Sequence, residues 1–154
     1  MKPSTLGTGT AGAAALAVGA LLIAPTASAV TPTTATVQAN CGDFGSGEIR
    51  LEATQNGTAA TITFSTSVVW SPLAIPANSV TTSLTLSNAN GADVTFTGKS
   101  NPALKLGDGL NSGPLVGTVA PGDALKAKSV TITYLQFRAE CTATSAQNPG
   151  PFTF

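Results

Sequence analysis

Residues 46–70, SGEIRLEATQNGTAATITFSTSVVW, decide the fold of this chain. Apolar and polar residues alternate through the stretch, and Asn56-Gly57 near its centre is the dipeptide that best accommodates the positive φ angles of a type I′ turn. A two-residue loop at this dipeptide sets three pairs of residues opposite each other: Ala53 and Ala60, Leu51 and Ile62, and Ile49 and Phe64. All three pairs are apolar, so turn chemistry and hydrophobic register agree in predicting an antiparallel β-hairpin.

A second hairpin is predicted around Asn90-Gly91. A two-residue turn at this dipeptide would set apolar residues opposite polar ones and so cross the two faces. A three-residue loop, Ala89-Asn90-Gly91, avoids this, because it pairs apolar residues with each other: Leu86 with Val94, and Leu84 with Phe96. Such a loop needs its last residue in the left-handed region, which Gly91 supplies.

The remaining segments also indicate strands, because β-branched residues are abundant, period-two alternation recurs and no helical periodicity is sustained. An early strand is predicted over residues 35–41 and a short one near residues 115–119. The last strand is predicted over residues 130–141, with a phase slip between Tyr134 and Leu135 that indicates a β-bulge. Loops are expected in residues 70–79, 99–113 and 142–154.

About seven short strands with turn signals between them predict an all-β fold. Strand number, chain length and one pair of distant cysteines favour an antiparallel immunoglobulin-like sandwich of about seven strands. The resemblance is architectural, since the cysteine and tryptophan spacing of antibody domains is absent. The alternative is a small closed β-barrel.

Residues 1–29 have the pattern of a secretory signal peptide. Lys2 gives a positive start, an apolar run follows from Ala11 to Ala24, and Ala27-Ser28-Ala29 fits a small-x-small cleavage site. The Ala-, Gly- and Thr-rich style resembles that of secreted proteins from high-GC Gram-positive bacteria. We therefore expect export, cleavage after Ala29, and a single mature domain over residues 30–154 without a transmembrane anchor.

The two cysteines, Cys41 and Cys141, fit an oxidising destination. An even count in an exported chain indicates a disulfide, whereas a redox or metal pair would need CxxC spacing or further ligands. Pairing them closes a loop of roughly 100 residues. By the chain-entropy model such a disulfide adds about 4–5 kcal/mol to the free energy of unfolding, before native strain is subtracted. Both cysteines fall on the inward faces of the strands predicted near the two ends of the chain.

Composition excludes several function classes. The chain has no histidine, which is the usual general base of serine and cysteine catalysis and the commonest zinc ligand. Seven basic and seven acidic residues give a formal net charge of zero and no basic footprint for nucleic acid. We therefore expect no enzyme, no metal site, no cofactor and no nucleic-acid partner.

The candidate binding residues are Trp70, Leu73 and Ile75, in the proline-containing segment WSPLAIPANS. One interpretation places Trp70 in the core, since it continues the inward parity of the preceding strand; the other is an exposed apolar loop that docks a partner. We expect an exported binding module, extracellular or associated with the cell envelope, with an unknown protein or cell-wall partner. The alternatives are a carrier of a small apolar ligand or an enzyme inhibitor, and then an envelope pore.

Overall fold

The computed structural model describes residues 29–154, so the predicted signal peptide lies outside the described residues except for Ala29. A 3₁₀ turn at Gly42–Phe44 and nine strands make up the regular structure of the described part. The strands are β1 (Thr34–Asn40), β2 (Ser46–Asn56), β3 (Ala59–Trp70), β4 (Thr81–Ser87), β5 (Asp93–Gly98), β6 (Gly109–Thr118), β7 (Ala124–Tyr134), β8 (Phe137–Ala143) and β9 (Phe152–Thr153). In this part of the chain, no helix is long and apolar enough to cross a membrane.

Eight of the strands form a closed antiparallel barrel in the order β4-β5-β6-β3-β2-β1-β8-β7, and β4 pairs with β7 to complete the ring. The short β9 is an additional strand that pairs with β7 near Ala124. The all-β prediction is confirmed, and the barrel that was the alternative forms in place of the sandwich. Closure removes the unpaired edges that an open sandwich would leave.

The β2–β3 hairpin forms, but its register differs by two residues from the predicted one. Leu51 faces Phe64, and the two-residue loop is Gly57-Thr58. Only Gly57 of this loop has positive φ, which is the pattern of a type II′ turn, whereas a type I′ turn needs positive φ at both positions. A shift of two residues keeps every side chain on its face, so the predicted inward set stays inward.

The β4–β5 hairpin confirms the predicted three-residue loop. Leu86 faces Val94, and the Asn88 N–H donates to the carbonyl of Ala92 across the loop. Gly91 ends the loop with φ of 82°, in the left-handed region where glycine meets no steric penalty.

The bulge predicted between Tyr134 and Leu135 is wrong. The chain reverses there through the two-residue turn Leu135-Gln136, and β7 and β8 pair as a hairpin beginning with Tyr134 opposite Phe137. A chain reversal and a β-bulge both change which alternate residues face the core. The alternation of apolar and polar residues therefore does not distinguish the two. The predicted loop over residues 99–113 is also too long, because β6 begins at Gly109 and absorbs the predicted short strand.

The barrel is filled by apolar side chains that belong to one continuous cluster. The largest of those that are fully buried are Phe64, Phe96, Phe152, Phe154, Leu51, Ile62, Leu84, Leu86, Leu115, Leu125, Val80 and Val130. The two ends of the barrel differ. We call the end that carries residues 29–33, 57–58, 88–92, 119–123 and 144–154 the terminal end, and the end that carries residues 41–45, 71–80, 99–108 and 135–136 the loop end.

The predicted disulfide between Cys41 and Cys141 is present, and both residues are buried. It lies where β1 and β8 meet, a seam in which only Ala39–Ala143 and Asn40–Thr142 are paired among the described strand residues. The two cysteines are the next pair in that register. The disulfide therefore extends the contact between these two strands towards the loop end.

Candidate binding site at the loop end

The side chain of Trp70 is not buried in the core, because an irregularity near the end of β3 turns it outward. The inward positions of β3 run through Phe64 and Thr66, and then the buried position moves to Val69. The register between β3 and β6 shifts between Thr66 and Trp70, which faces Gly109. Trp70 is therefore 49% exposed at the loop end.

The side chain of Thr66 holds this irregularity. Its Oγ1 donates to the carbonyl of Glu48 at 2.8 Å and accepts from the N–H of Val68 at 3.1 Å. Both bonds replace ladder contacts that a regular strand would make, since β2 and β3 stop pairing at Thr66. Gly109 allows the close approach of β6, because a Cβ there would lie 2.7 Å from the carbonyl oxygen of Thr66.

Two long connections, residues 71–80 and 99–108, support the site from one side. They are joined by a pair of backbone hydrogen bonds between Ile75 and Leu104, both of 2.9 Å and both between buried residues. Asn101 adds four side-chain hydrogen bonds. Its Oδ1 accepts from two backbone N–H groups, of Ser79 and Val80, and its Nδ2 donates to two carbonyls, of Pro76 and Pro102. The paired connections therefore form a fixed wall.

An apolar cavity of about 50 Å³ opens between this wall and the β7–β8 hairpin. The residues that line it are Phe44, Val69, Trp70, Ser71, Pro72, Ile75, Val80, Leu104, Leu110, Ile132, Tyr134, Phe137, Arg138 and Ala139. Four of the chain's eight aromatic residues lie in this lining, on three separate parts of the fold. The cavity is apolar, so it suits an apolar group rather than a charged one.

The rim of the loop end carries most of the exposed large apolar side chains of the described residues. Their exposed fractions are 49% for Trp70, 37% for Leu73, 70% for Leu106, 78% for Leu135 and 42% for Phe137. The sixth such residue, Val116, lies on β6 towards the terminal end and faces Thr61 of β3. Exposed apolar side chains that lie together at one end of a domain indicate an interaction surface more often than scattered ones do.

Charges at the loop end are balanced and solvated. Its loops carry Lys99, Lys105, Asp43 and Asp108, all exposed. Arg138, beside the cavity, forms an exposed ion pair with Glu140. The Asp108 carboxylate accepts from the backbone N–H of Lys105 at 2.7 Å and so shapes its own turn. The rim therefore presents both signs of charge and no single-sign field.

The structure separates the three residues that the sequence indicated. Trp70 and Leu73 are exposed on the rim, whereas Ile75 is buried and forms part of the wall. Sequence reasoning missed the opposite side of the cavity, formed by Phe44 and the β7–β8 hairpin with Phe137. Correct detection of the Leu135-Gln136 turn would have predicted an apolar hairpin tip, but not its position beside Trp70.

The described chain also has three larger clefts, of about 350, 530 and 340 Å³, each with charged side chains in its lining. No group of three or more His, Cys, Asp or Glu side chains within residues 29–154 is placed to hold a metal ion. Ser71 lines the cavity, but its hydroxyl donates to the carbonyl of Leu73 and so fixes the loop. The chain matches no known family model, no curated protein and no solved structure.

Proposed function

We propose that this chain is a non-catalytic binding module that contacts a protein or cell-wall partner through the loop end of its barrel. The observation that carries the proposal is that five exposed apolar side chains lie at one end of the barrel, namely Trp70, Leu73, Leu106, Leu135 and Phe137. Two of them, Trp70 and Phe137, also line the apolar cavity. Exposing five large apolar side chains together costs solvation and solubility, and contact with a partner recovers that cost. A central apolar pocket with a polar rim is the usual anatomy of a protein interface.

The size of the cavity beside Trp70 favours an interaction module over a carrier at that position, and the three larger clefts of the described chain have charged side chains in their lining. Pockets that enclose small ligands usually measure roughly 300–1,000 Å³. The cavity beside Trp70 measures about 50 Å³, so it holds one apolar group and not a whole ligand. A carrier of a small apolar ligand or an enzyme inhibitor remains the second candidate, since an inhibitor would also insert a single side chain or accept one.

The filled interior gives the pore hypothesis no support. Outer-membrane barrels place apolar residues outside and polar residues inside. This barrel does the reverse, with Leu51 and Phe64 buried inside while Arg50 and Glu52 are exposed.

We also propose export to an extracellular or cell-envelope location, and the disulfide at Cys41 supports it because such bonds persist in oxidising compartments.

The test compares two variants in envelope binding. The doubly substituted Trp70→Ser/Leu73→Ser protein is expected to co-sediment with the envelope fraction of the producing organism at least about tenfold less than the wild type, because it lacks two rim side chains. The matched control is Val116→Ser, which removes an exposed apolar side chain away from the loop end. Circular dichroism and melting curves of all three proteins exclude unfolding as the cause.

Three results would contradict the proposal. Equal co-sedimentation of the wild type and the double variant would show that the loop end does not bind. A substantial loss in the Val116→Ser control alone would move the binding surface to the wall of the barrel. If organic extraction of the purified wild type released a stoichiometric apolar compound, the carrier hypothesis would replace the interaction module.

A further inference from the structure

The pairing of β4 with β7 contains a β-bulge towards the terminal end of the barrel. The register shifts between Thr85 and Leu86, and Lys128 is the residue of β7 that has no partner at the shift. Beside it, the N–H of Ala127 donates to Oε1 of Gln147 at 2.9 Å, and Gln147 is only 8% exposed. Bulges are common next to functional sites because they change the direction of side chains. The hydrogen bond at this bulge attaches the segment after β8 to β7.

A cleft of about 530 Å³ lies between the bulge and this segment. Its volume falls within the roughly 300–1,000 Å³ of sites that hold small molecules. Two lysines, Lys126 and Lys128, line it together with the hydroxyl-bearing residues Ser87 and Thr142, and its lining contains no acidic residue. The other two large clefts each combine basic with acidic side chains. Of the three large clefts in the described chain, this one alone has only cations among its charged residues.

The two lysines keep hydrogen-bond donors available for a ligand. Nζ of Lys128 donates to Oδ2 of Asp93 at 2.7 Å, which uses one of the three N–H donors of the ammonium group. Lys126 takes part in none of the three ion pairs found within residues 29–154. The cleft therefore keeps a net positive charge after the pairing with Asp93, in a chain whose formal net charge is zero. Such a local excess attracts an anion.

Ser87 adds a buried polar group at the same place. It lies directly opposite Lys126 in the register of β4 and β7, and it is 8% exposed. Its hydroxyl forms no hydrogen bond with the part of the chain that the structure describes, although buried polar side chains are almost always paired. A buried hydroxyl without a protein partner, beside an ammonium group, indicates where an acceptor oxygen of a ligand would lie.

We propose that this cleft, which we call the lysine cleft, binds a phosphate group carried by a soluble small molecule or by a lipid headgroup. Lysine binds phosphate as a point charge, whereas a planar carboxylate is matched by the fork of an arginine, and no arginine lines the cleft. The phosphate oxygens accept hydrogen bonds from Lys126, Lys128 and the hydroxyl of Ser87. The apolar lining residues Ala146 and Pro151 contact the organic part of the ligand.

The lysine cleft goes beyond the proposed function, because it is built by β4, β7 and residues 142–151 and shares no residue with the cavity at the loop end. The two sites can therefore fail separately. The doubly substituted Trp70→Ser/Leu73→Ser protein should keep the phosphate affinity of the wild type, and variants of the lysine cleft should keep its envelope binding.

The experiment titrates the isotope-labelled protein in phosphate-free buffer with glycerol phosphate and follows the backbone amide signals of Lys126 and Ser87 by NMR. Saturable shifts with a Kd of about 1 mM or tighter are expected. Lys126→Gln should weaken binding at least about tenfold, because it removes a charged donor, and Ser87→Ala at least about threefold. The matched control is Lys105→Gln, which removes the same charge at the loop end and should bind like the wild type.

A second arm measures co-sedimentation with vesicles of phosphatidylglycerol and, as the control, of zwitterionic phosphatidylcholine. Binding of glycerol phosphate in solution assigns the site to a soluble ligand, and Lys126-dependent binding to phosphatidylglycerol vesicles alone assigns it to a lipid headgroup. Melting curves of the variants should match the wild type, because Lys126 is exposed and the Ser87 hydroxyl has no partner among the described residues.

Three results would overturn the lysine cleft as a phosphate site. The first is the absence of both saturable shifts and phosphatidylglycerol-dependent co-sedimentation. The second is an equal loss of affinity in Lys126→Gln and Lys105→Gln, which would show a general effect of charge. The third is unchanged affinity in both Lys126→Gln and Ser87→Ala, which would place any bound phosphate elsewhere.

Discussion

Single residues hold the site in shape, and Asn101 shows how. Its side chain is buried and satisfies both N–H donors and its carbonyl oxygen within the two connections that form the wall of the cavity. A buried amide with every hydrogen bond made is stabilising, whereas any change that leaves its partners unpaired is costly. The carbonyls of Pro76 and Pro102 depend on its N–H donors, and the N–H groups of Ser79 and Val80 depend on its oxygen.

Asn101→Asp is expected to lower the free energy of unfolding by about 2–4 kcal/mol, because a carboxylate cannot donate to the carbonyls of Pro76 and Pro102 and is charged in a buried place. Urea denaturation measures the change. The matched control is Asn90→Asp at the exposed tip of the β4–β5 loop, which should change stability by less than about 0.5 kcal/mol. Equal losses in the two variants would show that Asn101 does not clamp the connections.

At the scale of elements, the irregular end of β3 decides which residue reaches the rim. A regular strand would carry the parity of Phe64 and Thr66 on to Trp70 and turn the indole inward. The bonds from Thr66 to Glu48 and Val68 stabilise the extra residues of β3 instead. We infer that these two bonds of one hydroxyl group stabilise the outward turn of Trp70.

Thr66→Val is expected to cost about 1–2 kcal/mol of stability, since a buried residue of similar shape loses two hydrogen bonds. The same substitution should change the environment of Trp70, measured by its emission maximum and by acrylamide quenching. Thr63→Val is the control, because Thr63 lies on the outer face of β3 between inward Ile62 and Phe64. An unaltered Trp70 signal in Thr66→Val would contradict the role given to the hydroxyl.

At the scale of the whole molecule, closure of the barrel depends on seams of unequal strength. β2 and β3 are joined over eight residue pairs, whereas β1 and β8 share two before the disulfide between Cys41 and Cys141. Closed barrels have no spare edge, so opening any one seam exposes the core to water. The disulfide joins two neighbouring strands at a boundary where few residues are paired. It also anchors the 3₁₀ turn whose Phe44 lines the cavity.

Replacing both cysteines, Cys41→Ala with Cys141→Ala, is expected to cost about 4 kcal/mol, because the unfolded chain regains the entropy of a loop with a sequence separation of 100. Hydrogen exchange should rise first in β1 and in Gly42–Phe44, while the β2–β3 hairpin stays protected. Wild-type protein reduced with dithiothreitol is the control and should behave in the same way. Uniform loss of protection would show that the seam is no weaker than the rest of the barrel.

The sequence by itself determined the local features of this protein. Period-two alternation placed Ala35, Val37 and Leu51 on inward faces, because side-chain direction follows directly from position along a strand. Glycine at position 91 determined the β4–β5 loop and its register, since that loop requires a left-handed residue. The disulfide followed from the even number of cysteines and the predicted export. The Asn56-Gly57 dipeptide predicted the β2–β3 hairpin, although the predicted register differed by two residues from the observed one.

Only the tertiary structure decided how the strands close and which residues meet at the loop end. The pairing of β4 with β7 joins residues that are 39 to 52 positions apart, and no local pattern distinguishes it from the packing of two sheets. The outward turn of Trp70 depends on Thr66 reaching a carbonyl of the neighbouring strand. The cavity likewise gathers Phe44, Trp70 and Phe137 from three distant segments, and such long-range contacts arise from the folded ring and not from the period of the sequence.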